Sequence, residues 1–252
     1  MTTGYYDELA PFYKLMYPDW ERSVQRQATI LDGILKDYAG EKVETILDVS
    51  CGIGTQSIGL AKLGYKVSAS DLSPAEVEMA RLEAMNHGVE IEFRVGDMRE
   101  AWRVYEHQFD CVISCDNSVP HLLTNSDILL AFQQFFQCVK PGGSCLISVR
   151  DYAKLEKSQS QLSFNPRLVH DLDGERVILF DLWKHEGDLY EMTTYIVRDR
   201  GEGDIQTRVV HGGKYYRVSI DTLCELFIQA GFSNVAVLHD RFFQPVIFAQ
   251  KT

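Results

Sequence analysis

Basic residues are in short supply in this chain. It has 25 Lys and Arg against 36 Asp and Glu, a formal charge of -11. No basic cluster interrupts that excess, so a nucleic-acid partner is not expected. Long apolar runs are missing too: none reaches the ~20 residues that cross a bilayer, and no membrane partner is expected. The opening residues, MTTGYYDELAPFY, show neither the basic start nor the apolar stretch of a secretory signal, so the expected location is the cytoplasm. The six cysteines, Cys51, Cys111, Cys115, Cys138, Cys145 and Cys224, form no CxxC pair and no Cys/His spacing that suits zinc. No metal site is expected; buried free thiols are. Internal repeats and low-complexity segments are absent.

What is present is a strand-helix alternation. Forty residues of helical character come first, crowded with Tyr5, Tyr6, Phe12, Tyr13, Tyr17 and Trp20. Pro18 and Asp19 predict a helix start, and the apolar spacing continues from Trp20 to Tyr38. ETILDV (44–49) reads as a buried strand, and Thr55 to Leu63 as a helix ending at Gly64. A strand at 65–70 follows. Ser73, Pro74 and Glu76 then supply an N-cap, a first-turn proline and a capping box for a helix to about His87. Strands are predicted at 91–95 and 109–114, a helix from Asp127 to Val139 stopped by Pro141-Gly142-Gly143, and a strand at 144–150.

Such alternation predicts a doubly wound, Rossmann-like, mostly parallel sheet of seven strands. After Asp151 the pattern changes. Residues 176–184, 189–199 and 205–213 alternate with period two between glycine-containing turns, which predicts an inserted antiparallel meander. A helix at 219–230 and strands near 233–239 and 245–250 resume the first theme. The expected organisation is an N-terminal helical lid (1–40), a cofactor-binding domain (41–151 and 214–252) and an antiparallel β substrate-side subdomain (152–213).

The most informative stretch is Asp48-Val49-Ser50-Cys51-Gly52-Ile53-Gly54-Thr55, between the first strand and its helix. In sheets of this kind ligands sit outside the carboxyl ends of the strands. Gly52 and Gly54 permit a tight turn and a close approach. A nicotinamide fingerprint wants Gly or Ala three residues after the second glycine; Ser57 stands there. Asp48 beside the loop would repel a diphosphate but attract an amino group, which favours a cationic, phosphate-free nucleoside such as S-adenosylmethionine. Asp71 ends the second strand, where it could hold ribose hydroxyls, with Leu72 next. Asp97 and Met98 end the third, where a carboxylate could accept from an adenine amino group. Cys115-Asp116-Asn117 ends the fourth, facing the reaction zone.

Asp48 to Gly54 resembles the first motif, (D/E)xGxGxG, of class I S-adenosylmethionine-dependent methyltransferases, with Ser50 in place of the first glycine. Asp71, Asp97, the CVKPGG turn (138–143) and Ala230-Gly231-Phe232 are similar to the same superfamily, over about 44–150 and 219–250. The resemblance implies S-adenosyl-L-methionine as cofactor, held by Asp48, Ser50, Cys51, Gly52, Gly54 and Thr55, with Asp71, Leu72, Asp97, Met98 and Cys115 beyond. A narrower resemblance is to glycine and sarcosine N-methyltransferases. Asn117-Ser118-Val119-Pro120-His121-Leu122 is similar to their NSxxHL segment, and Arg150-Asp151-Tyr152 to their RNY segment. That resemblance implies that Arg150 grips a substrate carboxylate, that Tyr17 and Arg22 meet cofactor or substrate, and that Tyr13, Asn117, Tyr215 and Tyr216 reach the acceptor. Asp151 replaces the family's Asn, and Ser163-Phe164-Asn165-Pro166-Arg167 stands where the family has paired tyrosines.

The expected reaction is methyl transfer to a small molecule, the amine of an amino acid such as glycine or sarcosine being the first reading. Asn117, His121, Arg150 and Tyr216 are the candidate catalytic residues, His121 because imidazole titrates near neutral pH. An O-, C- or other N-methyltransferase, a nicotinamide-dependent oxidoreductase and a non-catalytic cofactor-binding module remain as alternatives. The sequence does not specify the number of methyl groups transferred or the oligomeric state.

Overall fold

The computed structural model describes residues 3–39, 42–152, 162–172 and 174–252; residues 153–161 of the expected insert lie outside this set. Helix α1 (Thr3–Leu9) runs into a 3-10 segment, Ala10–Met16, with Pro11 near its start. Helix α2 is Trp20–Tyr38, and the Asp19 side chain accepts from the Arg22 amide at 2.9 Å, satisfying one orphan donor of the first turn. Its stripe of Val24, Ala28, Leu31 and Leu35 recurs at helical spacing and is buried.

Then follow β1 (Thr45–Asp48), α3 (Thr55–Lys62), β2 (Lys66–Asp71), α4 (Pro74–Asn86), β3 (Glu92–Val95), α5 (Ala101–Tyr105), β4 (Phe109–Ser114), α6 (Asn125–Cys138) and β5 (Val139–Ser148). The last elements are β6 (Leu162–Leu172), β7 (Glu175–Glu186), β8 (Leu189–Asp199), β9 (Ile205–Tyr216), α7 (Ile220–Gln229), β10 (Ser233–Leu238) and β11 (Val246–Gln250).

Seven strands form one sheet in the order β10-β11-β5-β4-β1-β2-β3. Strand β1 pairs in parallel with β2 on one side and β4 on the other, so the order reverses there and the loops diverge. Only β11 runs against its neighbours, at the β5 and β10 edge. One face buries α6 and α7, where Phe132 stacks on Phe227 with ring centroids 4.0 Å apart. The other face buries α2, α3 and α4 through residues such as Leu31, Ile34, Ile58 and Val77. Gly59 lets α3 meet α2 closely: a Cβ there would lie 2.6 Å from the Val24 carbonyl oxygen.

Strands β6 to β9 form a separate antiparallel sheet in chain order. Its inner face, with Val177, Leu179, Tyr190, Met192, Ile196 and Val210, packs on Tyr5 and Leu9 of α1 and on Tyr152. Asp181 is buried in that face, where it pairs with Arg167 and accepts from Thr194 Oγ1 at 2.6 Å. The Tyr5 hydroxyl bonds the same Thr194 oxygen at 2.7 Å, tying α1 to this sheet.

Three elements differ from the sequence pattern. Strand β6 has no counterpart in it; it is an edge strand with a register shift at Pro166 to Leu168, where a missing N–H is tolerated. Strand β5 starts at Val139 and carries Pro141-Gly142-Gly143 within it. Its ladder jumps from Phe109–Val139 to Cys111–Ser144, so the turn residues bulge. Gly143 is needed because a Cβ there would lie 2.6 Å from the Asp110 carbonyl oxygen. The short α5 is likewise absent from the periodicity, being too brief to show one. Among the described residues no helix is long and apolar enough to cross a membrane.

Candidate active site

The loop after β1 crosses the carboxyl ends of β1, β2 and β4. The Val49 amide continues the ladder to Ile113, and the Cys51 amide donates to the Ser70 carbonyl at 3.0 Å. The Gly52 amide donates to Asp71 Oδ2 at 2.9 Å, with Gly52 at φ +51°. Above this loop lies a cavity of about 240 Å³. Asp48 is beneath the loop and 1% exposed, its oxygens accepting from the Ser50 amide at 3.2 Å and Ser57 Oγ at 2.6 Å. Burial pushes its carboxyl up to about 7.

Among the described residues carboxylates dominate the cavity wall: Asp71, Glu76, Asp97, Asp116 and Asp127, against the single cation Arg99. Asp71 receives the amides of Gly52 and Ser73, both at 2.9 Å, while burial raises its pKa. Glu76 departs from the capping box. Ser73 Oγ accepts from the Glu76 amide at 3.1 Å, but the Ser73 amide is already taken by Asp71. The Glu76 side chain lines the cavity instead, next to Gly52. It is 2% exposed, its Oε1 has no partner among the described residues, and burial raises its pKa well above the ordinary value. A buried, unpartnered carboxylate oxygen calls for a cationic or hydrogen-donating ligand. Asp97 and Asp127 share Arg99, at 2.6 and 2.9 Å.

A second cavity, about 250 Å³, shares a wall with the first: Tyr6, Tyr13, Tyr17 and Asp116 line both. Its charge is of the other sign, with Arg26, Arg150 and Arg167 on its walls. Asp181 neutralises Arg167. Arg150 has no carboxylate partner among the described residues; its guanidinium lies over Trp183, 5.3 Å from the ring centroid. Asn117 is 2% exposed and braces this wall, accepting from the Arg150 amide at 2.9 Å and donating to the Tyr152 hydroxyl at 2.8 Å.

A directional hydrogen-bond chain joins the cavities. His121 Nδ1 is 2.7 Å from the Lys214 carbonyl oxygen, which can only accept, so Nδ1 carries the proton. Nε2 therefore accepts from the Tyr6 hydroxyl at 2.7 Å, and Tyr6 in turn accepts from Tyr215 at 2.9 Å. Burial lowers the His121 pKa to about 4, so the ring is neutral at pH 7.

Most of the sequence-predicted positions meet at these two cavities. The first is lined by Ser50, Cys51, Gly52 and Thr55 from the loop and α3, by Asp71 and Leu72 after β2, and by Asp97 and Met98 after β3. Cys115 and His121 follow β4 in the same wall. Asn117, Arg150 and Tyr215 line the second, and Tyr13 and Tyr17 line both.

Four predicted positions lie outside both linings. Arg22 is exposed in the first turn of α2, and Arg26 and Gln27, one turn on, reach the second cavity instead. Asp48 supports the loop from below. Gly54 serves packing: at φ +91°, a Cβ would come 2.9 Å from Ile58 Cδ1. Tyr216 follows Tyr215 in β9, and the two-residue period turns it away to pack against the α6 and α7 core. Tyr6, Glu76, Arg99 and Asp116 are lining residues that the motifs did not single out. Glu76 was legible only as a cap, and Asp116 only as a neighbour of Asn117.

Residues 46–143 match the family described as "Methyltransferase domain". That stretch is similar to a methyltransferase domain. A ubiquinone biosynthesis O-methyltransferase of Xanthomonas axonopodis pv. citri is 30% identical over 146 residues, covering 56% of this chain and 59% of its own length. The chain thus spans 44–60% of the length of the curated relatives it matches. Streptomyces venezuelae DesVI has the same fold, with a TM-score of 0.81 and 20% identity over 96% of this chain and 98% of its own. CalS10, an amino pentose methyltransferase from Micromonospora echinaspora with S-adenosylmethionine bound, scores 0.76 at 18% identity, covering 91% and 92%. The fold is thus shared with a methyltransferase that holds S-adenosylmethionine. The residues of the first cavity suit it: an orphaned Glu76 oxygen and an acidic wall favour a cation and oppose a diphosphate.

Proposed function

We propose that the chain methylates the amine of a small anionic metabolite, with an amino acid such as glycine or sarcosine as the first acceptor to test. The observation that carries this reading is the pair of cavities with opposite charge and one common wall. The acidic cavity takes the cofactor; the arginine-bearing cavity takes the acceptor.

Bound S-adenosylmethionine supplies an electrophilic methyl on a sulfonium centre. In this reading the Gly52 loop allows close approach, Asp71 accepts from the ribose hydroxyls and Asp97 from the adenine amino group. Glu76, with its free oxygen, receives a donor of the cofactor. Tyr17, Ser50, Cys51, Thr55, Leu72, Met98 and Cys115 complete the walls. The Arg150 fork binds the acceptor's carboxylate, and Asn117 holds the backbone that aims it. Neutral His121 fixes Tyr6, and Tyr6 fixes Tyr215, leaving Tyr215 oxygen lone pairs for an acceptor N–H. The described residues 3–39 of the expected N-terminal lid cover both cavities, since Tyr6, Tyr13 and Tyr17 form most of their common wall. Excluding water and holding nucleophile and methyl in line then provide most of the acceleration.

A larger amine, of the kind the Micromonospora protein is named for, is the second reading, because Arg26 extends the second cavity to the surface. Incubating the protein with methyl-labelled cofactor and glycine, sarcosine, dimethylglycine, an amino sugar or small phenols tests both. Label on amines supports the proposal; label on phenols alone overturns it, together with the carboxylate role of Arg150.

A further inference from the structure

We infer that Asp116 seats the acceptor's ammonium group and removes its proton, an inference that rests on the amine reading above. Five carboxylates line the first cavity, and Asp116 is the one that also lines the second. A group entering from the arginine side therefore meets a carboxylate at the boundary with the cofactor cavity, and that carboxylate is Asp116.

Its oxygens are lightly engaged. Oδ2 accepts from the Tyr17 hydroxyl at 3.4 Å and Oδ1 from Gln244 Nε2 at 3.3 Å, both long for such bonds. An ionised carboxylate has about four acceptor positions, so beside these two long bonds about two remain for the N–H donors of an ammonium. The backbone is held for this purpose. Asp116 and Asn117 are successive non-glycine residues in the left-handed region, at φ +57° and +66°. Ser148 pins them: its Oγ accepts from the Asp116 amide at 2.8 Å and its carbonyl from the Asn117 amide at 2.9 Å. Strained pairs of this kind persist where surrounding structure enforces them, commonly at functional sites. The other nearby base, His121, has both ring nitrogens engaged. Burial also raises the Asp116 pKa, against the lowering pull of Arg150 and Arg167, moving it closer to that of a working base.

The step balances simply. One ammonium proton passes to an Asp116 oxygen, leaving a neutral amine with its lone pair. The nitrogen forms a bond to the methyl carbon as the carbon–sulfur bond breaks, and that electron pair leaves with sulfur. The proton on Asp116 goes to solvent, one per turnover. Arg150 holding an anion and Asp116 holding a cation select a zwitterion over a neutral alcohol or phenol.

Asp116→Asn is the test, because Asn occupies the left-handed region readily and the backbone is retained. A thermal melt checks folding, and Asp116→Glu provides a variant that keeps the base. Calorimetry should show S-adenosylhomocysteine binding to Asp116→Asn within about threefold of wild type. Sarcosine binding in the presence of S-adenosylhomocysteine should weaken at least tenfold, and kcat should fall by ~10²–10⁴-fold, with Asp116→Glu recovering part of it. Amine methylation by Asp116→Asn within threefold of wild type would overturn this inference and leave the amine reading intact. Failure of the wild type to methylate any amine would take down both.

Discussion

Gly52 and Gly54 stand two residues apart in one motif and answer to different constraints. Gly52 borders the first cavity, with the Glu76 carboxylate 3.5 Å from where a Cβ would sit. Gly54 faces Ile58 and Ala80 inside the α3–α4 packing. Gly54→Ala should therefore cost stability, ~1–2 kcal/mol for the left-handed backbone alone, with S-adenosylhomocysteine affinity little changed. Gly52→Ala should weaken that affinity at least tenfold. Denaturation and calorimetry on both variants check the pair, and equal loss of affinity in both would contradict the assignment. His121 carries a pH signature. Its pKa is about 4 in the fold against an ordinary 6.5, so the unfolded chain takes up a proton below pH 6.5 that the folded chain refuses until about pH 4. Wild-type stability, measured relative to His121→Asn, should stay level above pH 6.5, fall between pH 6.5 and 4, and level off below. Melting temperatures of both proteins across that range would show it, and a constant difference would refute a ring held neutral in the fold.

At the scale of elements, α1 is fastened at both ends of the site. Asp7 Oδ1 accepts from Ser73 Oγ at 2.5 Å and from the Ala75 amide at 3.3 Å, so α1 helps cap α4. Tyr5 holds Thr194 on the other side. Asp7→Ala should cost ~1 kcal/mol, as lost caps do, and hydrogen exchange should quicken over residues 3–16 before it changes in α2. Unaltered exchange there would show that Asp7 does not anchor the segment. The elements that could be read from the sequence were those with a long period or a cap. Helix α2 runs over the Trp20–Tyr38 span its pattern gives, and β8 over 189–199, because each has one buried face that fixes its phase. Strand β6 could not be read, since edge pairing tolerates Pro166 and demands no apolar alternation. At the site, strand-end carboxylates were legible because the doubly wound order places every such end at one rim. Tyr215 was not separable from Tyr216, because a glycine-bearing register shift between Met192 and Thr193 precedes them and resets which of the two faces inward. Glu76 and Asp116 were hidden for another reason: each sits beside a residue with a stronger local explanation, Ser73 as a cap and Asn117 as a motif member.

Among the described residues the acidic excess is sorted, with one guanidinium to five carboxylates around the first cavity and three arginines to one carboxylate around the second. Neither cavity is closed by the doubly wound sheet alone. The common wall comes largely from the N-terminal segment, whose Tyr6, Tyr13 and Tyr17 touch both. A ligand that settles this wall from one side lowers the cost of settling it from the other, so the two sites are coupled. S-adenosylhomocysteine at 100 times its dissociation constant should stabilise the fold by ~2.7 kcal/mol, which for a chain of this size raises the melting temperature by ~5–11 °C. In its presence sarcosine affinity should rise about fivefold or more, and by linkage saturating sarcosine must raise S-adenosylhomocysteine affinity by the same factor. Titrations run in both orders measure the two factors independently. Equal factors above one support a shared wall; a factor of one in both orders would mean that the tyrosines are set in place before either ligand arrives.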